Sequence, residues 1–203
     1  MIRKATNSDI GALADIHVAA LPNDLLPRIG TRFLSKRFYP AILRSNHALT
    51  IVDIEDDQVR SFIIFAYDSV AVTKQAMGNK LVLLWYLSLA LLRDFSLLGE
   101  IVGHLKGFRT ELNAQIDGKL EGIPELYLMA TAPEHHSKGI GGRLIDRGLD
   151  MLSEKEEGLQ CIVKTSSDRA RRFYAKHRFQ EIGLEYRHRR RLYLLLHRPH
   201  ERE

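Results

Sequence analysis

The strongest structural signal in the chain is the stretch Leu126-Tyr-Leu-Met-Ala-Thr-Ala-Pro-Glu-His-His-Ser-Lys-Gly-Ile-Gly-Gly-Arg-Leu-Ile145, whose pattern continues to Leu152. It starts with an apolar run of strand length that stops before Pro133. Apolar residues return after Gly139 at helical spacing, at Ile140, Leu144, Ile145, Leu149 and Leu152. The stretch therefore predicts a strand, a short polar loop and an amphipathic helix.

Three glycines, Gly139, Gly141 and Gly142, stand where the loop becomes the helix. Little side-chain bulk then keeps a ligand from the free N–H groups of the first helical turn. Because the positive end of the helix dipole also favours an anion, we expect a phosphate to bind there. The spacing matches neither a P-loop nor the Gly-x-Gly-x-x-Gly dinucleotide fingerprint, so those two ligand modes are excluded.

The composition fits one folded domain over residues 1–203. The chain is 27% charged and 45% hydrophobic, which is ordinary for a globular protein. A single cysteine, Cys161, excludes an intrachain disulfide and a cysteine metal cluster, so a cytoplasmic location is expected. The most apolar run, Leu81 to Leu92, is shorter than the roughly 20 residues of a membrane span, and we predict none.

The net charge of +5 is compatible with an acidic partner, and a phosphorylated cofactor is a sufficient partner of that kind. We do not expect nucleic-acid binding, because the chain has no recognised nucleic-acid motif and its basic residues are not interleaved with stacking aromatics.

Before the central stretch, helical and strand patterns alternate. The predicted elements are a strand at 2–5, a helix at 10–20, a helix from 28 or 30 to 43, and hairpin strands at 48–54 and 59–67. Pro40 must kink or end the second helix. The near-continuous apolar content of the hairpin predicts a sheet covered on both faces.

A helical insertion is predicted over residues 69–122. Leu81 to Leu92 and the apolar residues up to Leu105 indicate two helices with a break near Asp94 to Ser96. Because Leu81 to Leu92 carries no charge, we expect the two helices to cover each other. We interpret the insertion as an added helical layer; a lid, a dimer surface and a membrane-surface contact are the alternatives.

After the central stretch the pattern predicts a strand at 159–165, a helix at 169–177 and a closing hairpin of 181–188 and 191–197. The basic run Arg187-His188-Arg189-Arg190-Arg191 lies at the turn of that hairpin. It is either a solvated turn or a contact for an acidic acceptor or a cofactor phosphate.

Two segments resemble motifs of the GNAT superfamily of N-acetyltransferases. The frame from His136 to Gly141 resembles motif A, Arg/Gln-x-x-Gly-x-Gly/Ala, with His in the first position. The run from Ser167 to Phe179 resembles motif B, Asn-x-x-Ala-x-x-x-Tyr-x-x-x-Gly-Phe. In motif B the residues Ala170, Tyr174 and Phe179 match, while Ser167 replaces Asn and Arg178 replaces Gly.

The resemblance implies a mixed α/β (α+β) fold with a mostly antiparallel central sheet, and acetyl-CoA as co-substrate. The pyrophosphate would lie over residues 137–142, and the pantetheine arm would pair with the end of the central strand, where a bulge or splay leaves backbone groups unpaired. The implied cofactor contacts are Met129, Ala130, Thr131, His136, Ser137, Lys138, Gly139, Ile140, Gly141, Gly142 and Ser167.

Acetyl transfer to an amine needs a proton donor for the leaving thiolate and a base for the amine. By resemblance the donor is Tyr174, although a core-packing role is the alternative. The base is Glu125 at the start of the central strand, with Glu134 as a second candidate. His17, His135 and His136 are weaker candidates, and no metal is expected.

The sequence thus predicts an N-acetyltransferase that moves an acetyl group from acetyl-CoA to a primary amine by direct attack in a ternary complex. The acceptor is a small-molecule or peptide amine, and the protein is a possible homodimer. The alternative is a non-catalytic acyl-CoA-binding regulatory module, which the departures at His136, Ser167 and Arg178 keep open. The insertion is expected beside the acceptor groove, with its two helices packed over residues 80–105.

Overall fold

The computed structural model describes residues 1–99, 102, 120, 122–154, 159–187 and 190–198. Their strands form one seven-stranded sheet in the order β1-β2-β3-β4-β5-β7-β6. The strands are β1 Ile2–Lys4, β2 Ala48–Glu55, β3 Gln58–Ala66, β4 Glu125–Thr131, β5 Cys161–Thr165, β6 Phe179–Arg187 and β7 Arg190–His197. Only β4 and β5 are parallel neighbours, which confirms the prediction of a mostly antiparallel sheet.

Helices cover the sheet on both faces. They are α1 Ile10–Ala20, α2 Leu25–Ile29, α3 from Thr31–Phe33 through Leu34–Phe38 to Tyr39–Arg44, α4 Ser69–Met77, α5 Lys80–Arg93, α6 Ile140–Ser153 and α7 Asp168–Lys176. Short 3₁₀ turns are formed by Asn7–Asp9 and Pro133–His135. The predicted boundaries of α1, α6 and α7 are confirmed to within one residue at most ends.

The helix predicted from residue 28 or 30 is split into α2 and α3 at Gly30, which has φ +120°. Pro40 does not end α3. Instead, the middle of α3 is a π-helical turn at Leu34–Phe38, in which Tyr39 N donates to Leu34 O. Proline lacks an N–H, and a π-turn is one of the ways in which a helix passes such a residue without breaking.

Alternate side chains of β3 enter two separate cores. Phe62 and Ile64 face the first core, under α1 to α5, while Ile63 and Phe65 face the second core, under α6 and α7. All four side chains are fully buried. The prediction that both faces of the sheet are covered is therefore confirmed, and the two cores fix α6 and α7 on the opposite side from α1 to α3.

The first core contains a buried polar pair, His17 on α1 and Tyr39 on α3. The Tyr39 hydroxyl lies 2.9 Å from His17 Nδ1, and both side chains are at most 1% exposed. Burial lowers the pKa of His17 to about 4, so the ring is neutral at physiological pH. Its burial places it in the structural core and removes it as a candidate base.

The insertion begins with α4 and α5. The helix α5 ends at Arg93, so the predicted break at Asp94 to Ser96 is confirmed, while most of the second predicted helix lies outside the described residues. Tyr86 of α5 packs edge-to-face on Phe33, with 5.4 Å between ring centroids. Arg28 Nη2 donates to Asp94 Oδ2 at 2.5 Å.

These contacts hold only one side of α5 against the rest of the domain. Leu81 and Trp85 on the other side are 75% and 63% exposed, and most of the second helix that was predicted to cover them lies outside the described residues.

No single helix in the described ranges is both long and apolar enough to cross a membrane. The helices Ser69–Met77 and Lys80–Arg93 are long and apolar enough for a membrane span only when taken together, and the chain bends by 71° between them.

The contact between α6 and β3 predicts opposite effects for two glycine substitutions. A Cβ on Gly148 would lie 2.5 Å from Phe65 Cε2, whereas a Cβ on Gly11 of α1 would meet nothing within 4 Å. Gly148→Ala is therefore expected to lower the free energy of unfolding by about 1–3 kcal/mol through overpacking. Gly11→Ala is expected to raise it by about 0.5–1 kcal/mol. Urea unfolding of the three proteins measures both; equal effects at the two sites would contradict the packing of α6 on Phe65.

Candidate functional site

The parallel strands β4 and β5 pair only at their beginnings. Glu125 is opposite Ile162 and Leu126 is opposite Val163, and no pair follows. The pairing of β4 with β3 also shifts register here, so that Tyr127 is an extra residue between Leu126 and Leu128. The bulge and the loss of pairing open a gap between β4 and β5 that starts at Leu126 and extends to the end of β4.

The alternation of the antiparallel ladder decides which backbone groups face this gap. Ala132 N donates to Arg60 O, so Ala130 and Leu128 also direct their N–H and C=O groups toward β3. The groups of Met129 and Thr131 therefore face the gap. Of the three residues predicted to bind pantetheine, Ala130 has its backbone groups turned to β3 and does not fit that role.

The loop after β4 has a tightly turned backbone. His136 Nε2 donates to Thr131 O at 2.9 Å, which folds the ring back onto the strand end. Ser137 and Gly139 then take positive φ values of 64° and 70° before α6 begins at Ile140. His136, the predicted side-chain contact for the pyrophosphate, thus already has one ring nitrogen bonded to β4.

The N–H groups of residues 137–142 form the centre of the candidate site. Within the described chain none of them has an acceptor; the first helical hydrogen bond of α6 runs from Arg143 N to Gly139 O. Six successive donors at the positive end of a 14-residue helix provide a site for an anion.

Two of the three glycines serve packing rather than ligand access. A Cβ on Gly141 would lie 2.9 Å from Met129 Cε and 3.5 Å from Phe173 Cζ, and a Cβ on Gly142 would lie 2.9 Å from His177 Cε1. Their missing side chains let α6 approach β4 and α7, so the predicted reason for Gly141 and Gly142 is corrected. Gly139 is required by its positive φ.

Cations surround the free N–H groups. Lys138 and Arg143 are exposed, and Arg143 Nη1 donates to Lys138 O at 3.4 Å. Lys138 Nζ lies 3.5 Å from His135 Nδ1. A cation in the first turn of a helix opposes the helix dipole, and a bound anion would relieve that conflict. The sequence interpretation missed Arg143, although its place just after the glycines was the available signal.

Tyr174 lies on α7 in the second core. It is 8% exposed, and its ring packs on Phe173 and Phe179 with centroid distances of 5.4 and 5.5 Å. Burial, with a smaller effect from Cys161, raises the pKa of Tyr174 to about 12. The hydroxyl is therefore protonated at neutral pH and is able to donate a hydrogen bond.

Glu125 is half-buried where β4 and β5 are still paired. Its charge contributes to the raised pKa values of Tyr127 and Cys161, so the carboxylate lies near both side chains. The Tyr127 hydroxyl is 3.0 Å from Thr73 Oγ1 on α4. The insertion thereby contacts the bulge residue itself, a link that the sequence did not reveal.

Glu134, the second candidate base, is exposed in the Pro133–His135 turn.

The remaining motif residues have structural explanations. Ser167 is the N-cap of α7, and its hydroxyl accepts from Ala170 N at 3.3 Å. Arg178 has φ 65°, a conformation that glycine adopts without strain, which explains why the motif usually has Gly there. The basic run lies at the β6–β7 turn as predicted, with residues 188 and 189 outside the described part. The described residues contain no cluster of three or more His, Cys, Asp or Glu suited to a metal ion.

Residues 87–181 match the family model of the acetyltransferase (GNAT) domain, and this match covers both motifs and the gap. This segment of the chain is therefore similar to a GNAT acetyltransferase domain. The seven-stranded sheet with helices on both faces is the fold of GNAT proteins, as the resemblance predicted. No curated protein sequence matches the chain significantly.

Solved acetyltransferase structures superpose over nearly the whole chain. A histone acetyltransferase HPA2 and related acetyltransferase from Corynebacterium glutamicum has a TM-score of 0.62 at 14% identity, covering 100% of this chain and 97% of its own. The PaiA N-acetyltransferase of Thermoplasma acidophilum, solved with coenzyme A, has a TM-score of 0.61 at 13% identity, covering 98% of both chains. The ribosomal-protein-S18-alanine N-acetyltransferase of Escherichia coli has a TM-score of 0.57 at 12% identity, covering 98% and 92%.

The cations of the loop before α6 lead to a charge-reversal prediction. Lys138→Glu and Arg143→Glu each place a negative charge beside the free N–H groups, so each is expected to weaken CoA binding about 10- to 100-fold. Lys36→Glu, an exposed reversal on α3 across the sheet, serves as the matched control. Calorimetric titration with CoA measures the dissociation constants. Equal affinities of all three variants and the parent would contradict anion binding at this loop.

Proposed function

We propose that this protein is an N-acetyltransferase that transfers the acetyl group of acetyl-CoA to a primary amine by direct attack in a ternary complex. The observation that carries the proposal is the gap between β4 and β5, which leads from the free N–H groups of residues 137–142 back to Leu126, next to Glu125. The domain match and the fold support the reaction class.

The backbone fits the two polar parts of CoA. The donors of residues 137–142, with Lys138 and Arg143, suit the pyrophosphate. The gap-facing groups of Met129 and Thr131 suit an amide-bearing pantetheine arm that adds to the strand edge. From Thr131 back to Leu126 a strand spans about 17 Å, which an extended pantetheine chain matches in length. Acetyl-CoA supplies the acetyl group as a reactive thioester.

Tyr174 is our proposed proton donor. When the amine nitrogen attacks the thioester carbon, the carbon–sulfur bond breaks and the sulfur gains negative charge. A protonated Tyr174 can stabilise that sulfur with a hydrogen bond or a proton, since burial keeps its pKa at about 12. Cys161, at the start of β5, contributes to that raised pKa, so Tyr174 lies near the strand that pairs with Glu125.

Glu125 is our proposed base, directly or through water. An acceptor amine is mostly protonated at neutral pH and must lose a proton before or during attack. Glu125 is only half-buried and is near Tyr127, whose hydroxyl contacts Thr73 of the insertion. The amine would therefore approach beside α4, from the face of the sheet that α1 to α5 cover.

Cys161 supports direct attack over an acetyl-cysteine intermediate. It is fully buried, and burial raises its pKa to about 12, so the thiol is neither accessible nor ionised at neutral pH. A covalent route would need a thiolate nucleophile.

The acceptor class remains broad in this proposal. The Escherichia coli structural neighbour is an N-acetyltransferase for the alanine of ribosomal protein S18. At 12% identity that likeness concerns the fold, so both small-molecule and peptide amines belong in the acceptor panel.

Removal of one hydroxyl tests the catalytic role of Tyr174. Tyr174→Phe is expected to lower kcat roughly 10- to 1000-fold, with little change in CoA affinity, because only the thiolate loses its donor. Tyr193→Phe on β7, which removes a hydroxyl and keeps the ring that Arg171 stacks on, is the control. Release of free CoA with a panel of amines measures turnover.

Two results would contradict the proposal. Unchanged kcat in Tyr174→Phe with a lower melting temperature would assign this side chain to the core alone. CoA binding without turnover on any amine would favour the alternative, a non-catalytic acyl-CoA-binding module.

A further inference from the structure

The outer side of α5 and the turn after it carry a set of exposed apolar side chains, which we call the insertion face. Its described members are exposed to between 52% and 77%. They are Leu81, Leu84, Trp85, Leu92, Phe95 and Leu98. Large apolar side chains scattered singly on a surface need no explanation, but a patch of this size marks an interaction site.

Helical geometry shows that the insertion face is a true second face of α5. Leu83, Tyr86 and Leu87 pack against the first core, and the exposed residues at 81, 84, 85 and 92 lie on the opposite side of the helix. Such an outer side is normally polar. Its one polar residue, Ser88, donates its hydroxyl proton to Trp85 O at 2.8 Å and so offers no free donor to water.

The rim of the insertion face is cationic. Lys80 and Arg93, at the two ends of α5, are exposed and make no ion pair with any described residue. The nearby acid, Asp94, already accepts from Arg28 at 2.5 Å and from Ser96 at 2.6 Å. An apolar surface with uncompensated positive charges at both ends of its helix complements an anionic apolar partner.

We propose that the insertion face docks the protein on the surface of an anionic lipid bilayer. The leucines, Trp85 and Phe95 would enter the boundary between headgroups and acyl chains, and Lys80 and Arg93 would contact lipid phosphates. A second copy fits less well, because antiparallel pairing of two α5 helices would place Lys80 of one beside Arg93 of the other.

The helix geometry fits docking along the bilayer rather than across it. The 14 residues of α5 span about 21 Å, which is less than the roughly 30 Å of a hydrocarbon core. The 71° bend between α4 and α5 also prevents a straight span. The core-facing side of α5 stays on the domain while its outer side meets lipid.

Trp85, the only tryptophan in the chain, makes the test direct. The full-length protein is titrated with vesicles of phosphatidylcholine containing 30% phosphatidylglycerol, and with pure phosphatidylcholine vesicles. Docking predicts a blue shift of tryptophan emission and co-sedimentation with the anionic vesicles, at least 10-fold stronger than with the neutral ones at low salt.

Two sets of variants separate the apolar and charge contributions. Leu84→Gln/Leu92→Gln removes exposed apolar area only and is expected to weaken vesicle binding roughly 10-fold or more. Lys80→Gln/Arg93→Gln is expected to weaken binding to anionic vesicles and to leave the weak binding to neutral vesicles unchanged. Ile182→Gln on β6, an exposed apolar residue outside the insertion, is the control and should bind as the parent does.

Equal binding of the parent and Leu84→Gln/Leu92→Gln, or no binding of the parent to anionic vesicles, would overturn the proposal. Sedimentation equilibrium without lipid tests the alternative that a second copy of the chain binds the insertion face. A parent dimer that Leu84→Gln/Leu92→Gln converts to a monomer would assign the insertion face to a second copy instead.

Discussion

The divergence of β4 from β5 is the constraint on which the rest of the site depends. Two parallel strands that stayed paired along their length would close the sheet and leave no free edge. Here the extra residue at Tyr127 changes the register of β4 against β3, and pairing with β5 ends at Leu126. Both cores are packed against this sheet, so the gap is held open by buried side chains on either side.

The same divergence brings the proposed chemical groups to the two ends of one groove. At the wide end, Ser137 and Gly139 turn the backbone so that the donors of residues 137–142 are free. At the closed end, Glu125 and the protonated Tyr174 lie near Cys161. An elongated, polyanionic thioester, with an amide-bearing arm that can pair with the edge of a strand, fits these two ends better than a compact ligand would.

The sequence predicted what local patterns control: the order of the elements, the loop before α6 and the break after Arg93. It could not predict contacts that depend on distant residues. The reason for Gly141 became visible only when the fold brought Met129 and Phe173 against it. Likewise, apolar composition does not reveal whether a helix meets a neighbour, and Leu81 and Trp85 on the outer side of α5 are exposed. Ala130 was predicted to face the gap, because residue type does not show which residues of a strand direct their backbone groups to one neighbouring strand and which to the other.

Amide hydrogen exchange of residues 137–142, measured by NMR with and without CoA, tests the central claim most directly. In the free protein these N–H groups lack acceptors, so we expect them to exchange rapidly. A pyrophosphate bound to them should slow their exchange at least 10-fold, while amides of α5 should not change. If CoA binds by calorimetry and these amides still exchange at their free rates, the anion lies elsewhere and the account of the site is wrong.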